Sequence, residues 1–179
     1  NSKMDLKDLL PKAIEMEALQ NSQGFENGFY LPFGANMNSD KTITRRYLDG
    51  QGDGCFSLGI TLSAQVYRLK YFHKIGNGIQ VALAESKINI IVNTLELMQK
   101  VSGYEGLLVR YFKYTEEPGW NKTTYNGVDY FWEGNLSYDQ ILSVMFGLYL
   151  LRIEVGEIID KNILFRCVNI AENIGKHFI

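Results

Sequence analysis

Cysteine and histidine are scarce in this sequence, which contains two residues of each. Cys55 lies in a Gly-rich segment and Cys167 in an apolar helical pattern, so the pair does not predict a disulfide framework, although the sequence leaves a single bridge between them open. His73 and His177 do not fall at metal-ligand spacing with either cysteine. We therefore predict neither a metal site nor a cofactor.

An excess of charge of one sign is also missing, because 18 basic residues face 20 acidic residues and the formal net charge is -2. The densest basic cluster is only Arg45-Arg46, so nucleic acid and anionic membrane surfaces are not expected as partners. No uninterrupted apolar run of about 18 residues occurs, which excludes an obvious transmembrane helix. The chain starts at Asn1 without a leader sequence, as either a processed secreted or periplasmic protein or a trimmed chain would.

Two catalytic signatures are absent as well. The Gly-x-Ser-x-Gly elbow of many serine hydrolases does not occur. The run Gly50-Gln51-Gly52-Asp53-Gly54 lacks the Lys-Ser/Thr pair and the preceding apolar strand of a phosphate-binding loop. Neither serine-hydrolase chemistry nor nucleotide binding is therefore predicted.

Aromatic residues, by contrast, are abundant, since 11 Tyr, 10 Phe and 2 Trp make up 13% of the chain. Many of them fall in segments without a helical period. Sugar rings stack on aromatic faces while their hydroxyls bind carboxylates, so aromatic and acidic loops favour a carbohydrate cleft. The same rings would alternatively form small cores inside large loops.

Apolar residues recur at helical spacing in five segments: 5–19, 61–75, 79–101, 138–154 and 157–178. Gly76-Asn77-Gly78 and Gly156 separate the later segments into two antiparallel helical hairpins. The pattern therefore predicts an all-α domain that spans residues 1–179.

The remaining segments are expected to be loops. Residues 20–58 show no period and predict a long irregular loop, which in a compact domain is usually functional. Residues 106–112 would form a short extended segment. A turn-rich loop or a small hairpin around Asn126-Gly127 would follow.

The most informative stretch of the chain reads Tyr-Phe-Trp-Glu-Gly-Asn-Leu-Ser-Tyr-Asp-Gln and occupies residues 130–140. Ser137 and Gln140 have the spacing of a capping box at the start of a helix. Asp139 would then lie in the first turn, where the helix dipole favours a charged carboxylate. Such a carboxylate would bind hydroxyls or move protons, or would only stabilise the helix.

Further candidate residues surround this stretch. Asp53 precedes another helix and would partner Asp139 in acid/base chemistry, or would form only an Asp-Gly turn. Arg110 would bind a uronate carboxylate, or would pair with Glu105 or Asp139. The expected stacking and substrate-binding residues are Trp120, Tyr130, Trp132 and Glu133.

The central part of the chain contains three distinctive strips. They are Ser-Gly-Tyr-Glu-Gly-Leu-Leu-Val-Arg at 102–110, the loop around Trp120, and 132–140 followed by Phe146-Gly147-Leu148. These strips, within residues 60–155, resemble the central part of six-hairpin (α/α)6 toroid proteins, many of which are glycoside hydrolases or polysaccharide lyases. The resemblance implies a cleft where inter-helix loops lead into inner helices. Asn135 stands where these proteins commonly have Asp, and the predicted helices would form the N-terminal half of a toroid or belong to a smaller helical domain.

These observations predict a carbohydrate-active protein, resembling a glycoside hydrolase, with Asp139 and Asp53 as its catalytic carboxylates. The alternative is a non-catalytic helical domain whose aromatic loops form protein–protein or self-assembly contacts, because aromatic residues are favoured interface anchors. The expected partner is a carbohydrate in the first case. In the second, the partner is another copy of the chain or the missing half of a toroid.

Overall fold

The computed structural model describes residues 6–31, 33–40, 43–48 and 51–178. Within these ranges the chain forms five α-helices, seven short strands and a 3₁₀ turn at Gln51–Asp53. The helices are α1 (Leu6–Gln23), α2 (Gly54–Lys74), α3 (Gly78–Ser102), α4 (Tyr138–Val155) and α5 (Lys161–Phe178). The strands are β1 (Phe25–Glu26), β2 (Phe29–Tyr30), β3 (Phe33–Met37), β4 (Ile43–Leu48), β5 (Tyr111–Lys113), β6 (Asn121–Tyr125) and β7 (Val128–Glu133).

Small antiparallel sheets make the described chain a mixed α and β structure, so the prediction of an all-α domain is wrong. β1 pairs with β2, β3 pairs with β4, and β7 lies between β5 and β6. The segment 20–58, expected to be irregular, contains four of these strands. The missed signal is Asn27-Gly28, whose positive φ angles of 51° and 89° fit a tight hairpin turn between β1 and β2.

The hairpin expected around Asn126-Gly127 is present. β6 and β7 pair in register from Asn121 with Trp132 to Tyr125 with Val128. Asn126 and Gly127 have φ angles of 50° and 78°, as a tight hairpin turn of this type requires. β5 pairs with the other edge of β7. This pairing fixes the position of Arg110, which immediately precedes β5.

The five predicted helices are present, and their ends are set by local signals. α3 begins after Asn77, whose side chain accepts a hydrogen bond from the Gln80 backbone N–H at 3.2 Å. It ends at Gly103, which adopts the left-handed conformation with a φ of 73°. α2 starts at Gly54. The sequence placed this start at residue 61, too late, because glycines in the first turns of the helix interrupt the apolar period.

α2 and α4 run parallel to each other and pack closely. A Cβ on Gly59 would lie 2.3 Å from the Ser143 backbone, so the glycine is what allows the two helices to approach. The Ser143 hydroxyl donates to the Phe56 carbonyl oxygen at 2.8 Å. Lys70 pairs with Glu154 near the other end of both helices. Both helices therefore begin at the same end of the molecule.

The hydrophobic core lies between this helix pair and the helices that follow each of its members. Leu62 and Val66 of α2, Ile91 of α3, Val144 of α4 and Ile170 of α5 are all buried in it. The core residues of α2 and α4 lie on one side of the pair. The opposite side of the pair is therefore left outside the core.

The two cysteines are free and buried. Burial raises the pKa of the Cys55 thiol and of the Cys167 thiol to about 12 in each case. The bridge that the sequence left open is not formed. Both side chains serve as small apolar core residues rather than as nucleophiles.

Candidate functional site

The N-terminal ends of α2 and α4 form the candidate site. Asp53 occupies the N-cap position of α2, and Asp139 lies in the first turn of α4. Because the two helices are parallel and adjacent, both carboxylates stand at one end of the molecule. Unpaired N–H groups and the helix dipole favour negative charge at such ends. Gly50, which belongs to the same Gly-rich run as Asp53, lies outside the described residues.

Arg110 connects the segments that precede the two helices. Its Nε donates to the Gly52 carbonyl oxygen, and its Nη1 donates to the Asn135 carbonyl oxygen at 3.3 Å. Its Nη2 lies 3.5 Å from Asp53 Oδ1. The Arg110 backbone N–H donates to the Glu133 carbonyl oxygen at 2.8 Å, which anchors the arginine to the sheet. All three guanidinium nitrogens therefore have acceptors within the protein.

Asp139 is an exposed carboxylate that its surroundings keep ionised. The Ser137 hydroxyl, which hydrogen-bonds the carboxylate, lowers the pKa of Asp139 below its ordinary value of 3.8. Backbone N–H groups of the first turn and the positive charge of Arg110 act in the same direction. Arg110 therefore influences both carboxylates, although its ion pair is with Asp53 and not with Glu105 or Asp139.

Gln140 is a component of the site whose role the sequence did not reveal. It is fully buried, and its Nε2 donates to the Gly52 carbonyl oxygen at 2.8 Å and lies 3.5 Å from Asp53 Oδ1. The predicted capping box is wrong, because Ser137 is at the N-cap position but makes no side-chain cap hydrogen bond. Among the described residues, Gln140 Oε1 has no hydrogen-bond partner. Gln140 thus positions Asp53 rather than closing the start of α4.

An open cleft of about 430 Å³ adjoins Asp53. Phe56 and Ile60 of α2 line it with apolar surface, and they are 38% and 52% exposed. Tyr30 lines it as well, and burial, with a further contribution from Glu17, raises the pKa of its hydroxyl. The cleft therefore combines a carboxylate, exposed apolar surface and a protonated phenol, a combination that suits a sugar ring.

The sequence-predicted stacking residues do not line this cleft: Tyr130 and Trp132 belong to β7, and Trp120 immediately precedes β6. Trp132 is half-buried, and its Nε1 donates to Thr123 Oγ1 at 3.0 Å. The Lys113 ammonium lies 4.7 Å from the centre of the Trp120 ring, within the range of a cation–π contact. Both tryptophans are thus held by neighbouring strands of the sheet.

Tyr130 and Glu133 contribute to the structure in different ways. Tyr130 is only 7% exposed, and its ring packs against Phe112 with centroids 5.6 Å apart. This position leaves little of the ring for a sugar. Glu133 is half-buried and takes part in the site through its carbonyl oxygen, which accepts the backbone N–H of Arg110.

A second cleft, of about 440 Å³, lies between α3 and α5. Its walls carry the amides Asn169 and Asn173 together with Tyr125. The carboxylate in this cleft, Glu96, is bound by Arg166 through two hydrogen bonds. The first cleft, of similar size, is lined by Asp53, which is 61% exposed and lies 3.5 Å from one arginine nitrogen. Asp139 stands near the same helix ends but does not line that cleft. The more exposed carboxylate favours the first cleft.

Comparisons with protein-family models, with curated proteins and with solved structures find no match to this chain. Within the described residues, His, Cys, Asp and Glu form no group of three or more that would hold a metal ion. None of the described helices combines the length and the apolar character needed to cross a membrane.

Proposed function

We propose that this chain is a carbohydrate-active protein that resembles a glycoside hydrolase and binds a glycan where α2 and α4 begin. The observation that carries the proposal is that two carboxylates, Asp53 and Asp139, stand at neighbouring helix ends beside one arginine. Glycosidases use a pair of carboxyl groups, one ionised and one that carries a proton. The sequence strips that resemble (α/α)6 toroid proteins lead into these same helix ends.

The surroundings of the two carboxylates support different roles. Asp139, with its lowered pKa, is the ionised group that removes a proton from the attacking water or stabilises positive charge on the sugar. Asp53 adjoins the cleft and receives Arg110 and Gln140 on the same oxygen, Oδ1. Its Oδ2 receives neither of these two donors, so it is the oxygen that is offered to a hydroxyl of the glycan. Phe56 and Ile60 supply the surface against which a sugar ring packs.

Hydrolysis of a neutral glycan fits this site better than cleavage of a polyuronide by a lyase. A lyase must neutralise the carboxylate of the sugar, and an arginine would be the natural group to bind it. Each nitrogen of Arg110 already has an acceptor in the protein. With two carboxylates beside one arginine, of whose five N–H donors three already have acceptors in the protein, the site attracts hydroxyl donors more readily than further negative charge.

The test is turnover of a panel of neutral polysaccharides, followed by release of reducing ends, with wild type, Asp139→Asn and Asp53→Asn. We expect each substitution to lower kcat at least about 100-fold, as is usual for loss of a general acid or base. Asp160→Asn is the matched control, because Asp160 also lies at a helix start and accepts two backbone N–H groups there. Asparagine caps a helix as well as aspartate does, so this control should retain full turnover.

Three outcomes would contradict the proposal. Turnover unchanged in both site variants would reject the two aspartates as catalysts. An equal loss of turnover in the Asp160→Asn control would mean that the loss reflects destabilisation of the protein and not removal of a catalytic group. A correctly folded wild type that neither cleaves nor binds any member of the panel would reject the carbohydrate function itself.

A further inference from the structure

α4 carries a continuous apolar stripe on its exposed side. Leu142, Phe146, Tyr149 and Ile153 recur at helical spacing and are between 53% and 66% exposed. The opposite side of the same helix is buried in the core. A helix that is apolar on all sides is normally covered on all sides.

α2 carries a matching stripe, formed by Ile60, Tyr67 and Tyr71, which are between 47% and 52% exposed. At about 100° per residue, each stripe lies roughly a quarter turn from the line where Gly59 meets Ser143 and roughly half a turn from the core residues of its helix. Because α2 and α4 are parallel, both stripes lie on the same side of the pair. We refer to these seven residues as the α2–α4 face.

The area of the α2–α4 face matches that of a stable protein interface. Large apolar side chains present roughly 150–250 Å² each, so seven that are about half exposed present on the order of 700 Å². Monomers rarely expose contiguous apolar patches of more than a few hundred Å². A standard interface buries about 800 Å² on each partner.

The charge distribution also suits pairing of the face with itself. None of its seven side chains is charged, and the neighbouring Lys70 and Glu154 neutralise each other across the two helices. A twofold interface brings identical patches together, so a patch with a net charge would repel its own copy. An uncharged patch of this size meets no such repulsion.

We propose that the α2–α4 face binds the same face of a second copy of this chain, forming a twofold symmetric dimer. The interface consists of helix surfaces rather than of the aromatic loops from which self-assembly was expected. Trp132 in those loops is half-buried and hydrogen-bonded within its own sheet, whereas Phe146 and Tyr149 on the helix are more than half exposed. The inference does not rest on any activity on carbohydrates, although the face shares Ile60 with the cleft beside Asp53; its other six residues do not line that cleft.

The experiment is sedimentation equilibrium of the wild-type chain over concentrations from about 1 to about 100 μM. We expect a mass of twice the chain mass of 20.4 kDa. Phe146→Glu would bury an unpaired charge in the interface and should raise the dimer dissociation constant at least about tenfold. Phe165→Glu is the matched control, because Phe165 is a 63% exposed helical phenylalanine outside the α2–α4 face.

Circular dichroism of each variant establishes whether it is folded, and Tyr149→Glu replaces Phe146→Glu if that variant is not. The proposal is supported if the substitution in the α2–α4 face dissociates the dimer and the Phe165→Glu control does not. A wild type that stays monomeric at every concentration overturns it, and flotation of that monomer with phosphatidylcholine vesicles would assign the face to a lipid surface instead. The proposal is also overturned if the variant in the α2–α4 face dimerises as tightly as wild type. It is overturned as well if the Phe165→Glu control weakens the dimer equally.

Discussion

At the scale of single residues, the ionisation of Asp139 depends first on the hydroxyl of Ser137. Ser137→Ala removes this donor while the charge of Arg110 and the first-turn N–H groups remain. We therefore expect the pKa of Asp139 to rise towards its ordinary value of 3.8 without reaching it. Titration of the side-chain carboxyl carbon of Asp139, followed by NMR in wild type and variant, measures the change directly.

A control for this prediction comes from Asp129, whose pKa is lowered by Lys122 and also by the Thr124 hydroxyl. Thr124→Ala should raise the pKa of Asp129 and leave that of Asp139 unchanged. The lowered pKa of Asp139 also makes stability depend on pH: its contribution is fully present at pH values above the ordinary pKa of 3.8. The contribution is lost as the pH falls through the lower pKa of the folded protein. If Ser137→Ala left the pKa of Asp139 unchanged, the hydroxyl of Ser137 would not be what keeps this carboxylate ionised.

Single residues also explain how much of the site the sequence could predict. The positions of Asp53 and Asp139 at helix starts were predictable because helix starts have local signals. Gln140 was misinterpreted as a cap because its partner, the Gly52 carbonyl, lies 88 residues away along the chain. A contact of that separation leaves no trace in local spacing.

At the scale of secondary-structure elements, the close approach of α2 and α4 depends on Gly59. A Cβ there would lie 2.3 Å from the Ser143 backbone, which cannot yield without separating the helices. We expect Gly59→Ala to destabilise the protein by about 2–3 kcal/mol, the upper range for overpacking, as measured by urea unfolding. Gly175→Ala in α5 is the control, since a Cβ there meets nothing within 4 Å.

The control should be stabilised by about 0.5–1 kcal/mol, because alanine loses less backbone entropy than glycine in a helix. If Gly59→Ala were equally stabilised, the parallel packing of α2 and α4 would have to be looser than the structure indicates. Loss of that packing would also separate Asp53 from Gln140, since each belongs to a different member of the pair.

Helices and strands differed in how far the sequence could predict them. The helices have an apolar period sustained over several turns, and their presence was therefore predicted, with errors only at their ends. The strands β1 and β2 contain two residues each, too few for a period to be recognised. Their turn, Asn27-Gly28, has the same composition as Asn126-Gly127, but only the second is flanked by longer strands.

At the scale of the whole molecule, Arg110 joins segments that are distant in sequence. It hydrogen-bonds Gly52 before α2 and Asn135 before α4, while its backbone pairs with Glu133 at the end of β7. The Cys55 backbone N–H donates to the Arg110 carbonyl oxygen at 3.1 Å, which adds a link to α2. Arg110 therefore adds to the contacts of Gln140 and Ser143 that fix the relative position of the two helix ends.

Arg110→Lys tests this role, because a lysine keeps the charge but its single ammonium cannot reach three acceptors in a fixed fork. We expect a loss of about 2 kcal/mol and a fall in Tm of roughly 5 °C, measured by calorimetry. Arg152→Lys on the exposed surface of α4 is the matched control and should melt like wild type. If both variants melted like wild type, Arg110 would be only a surface charge. The spacing of Asp53 and Asp139 would then depend on helix packing alone, and Gly59→Ala would be the substitution that disrupts the site.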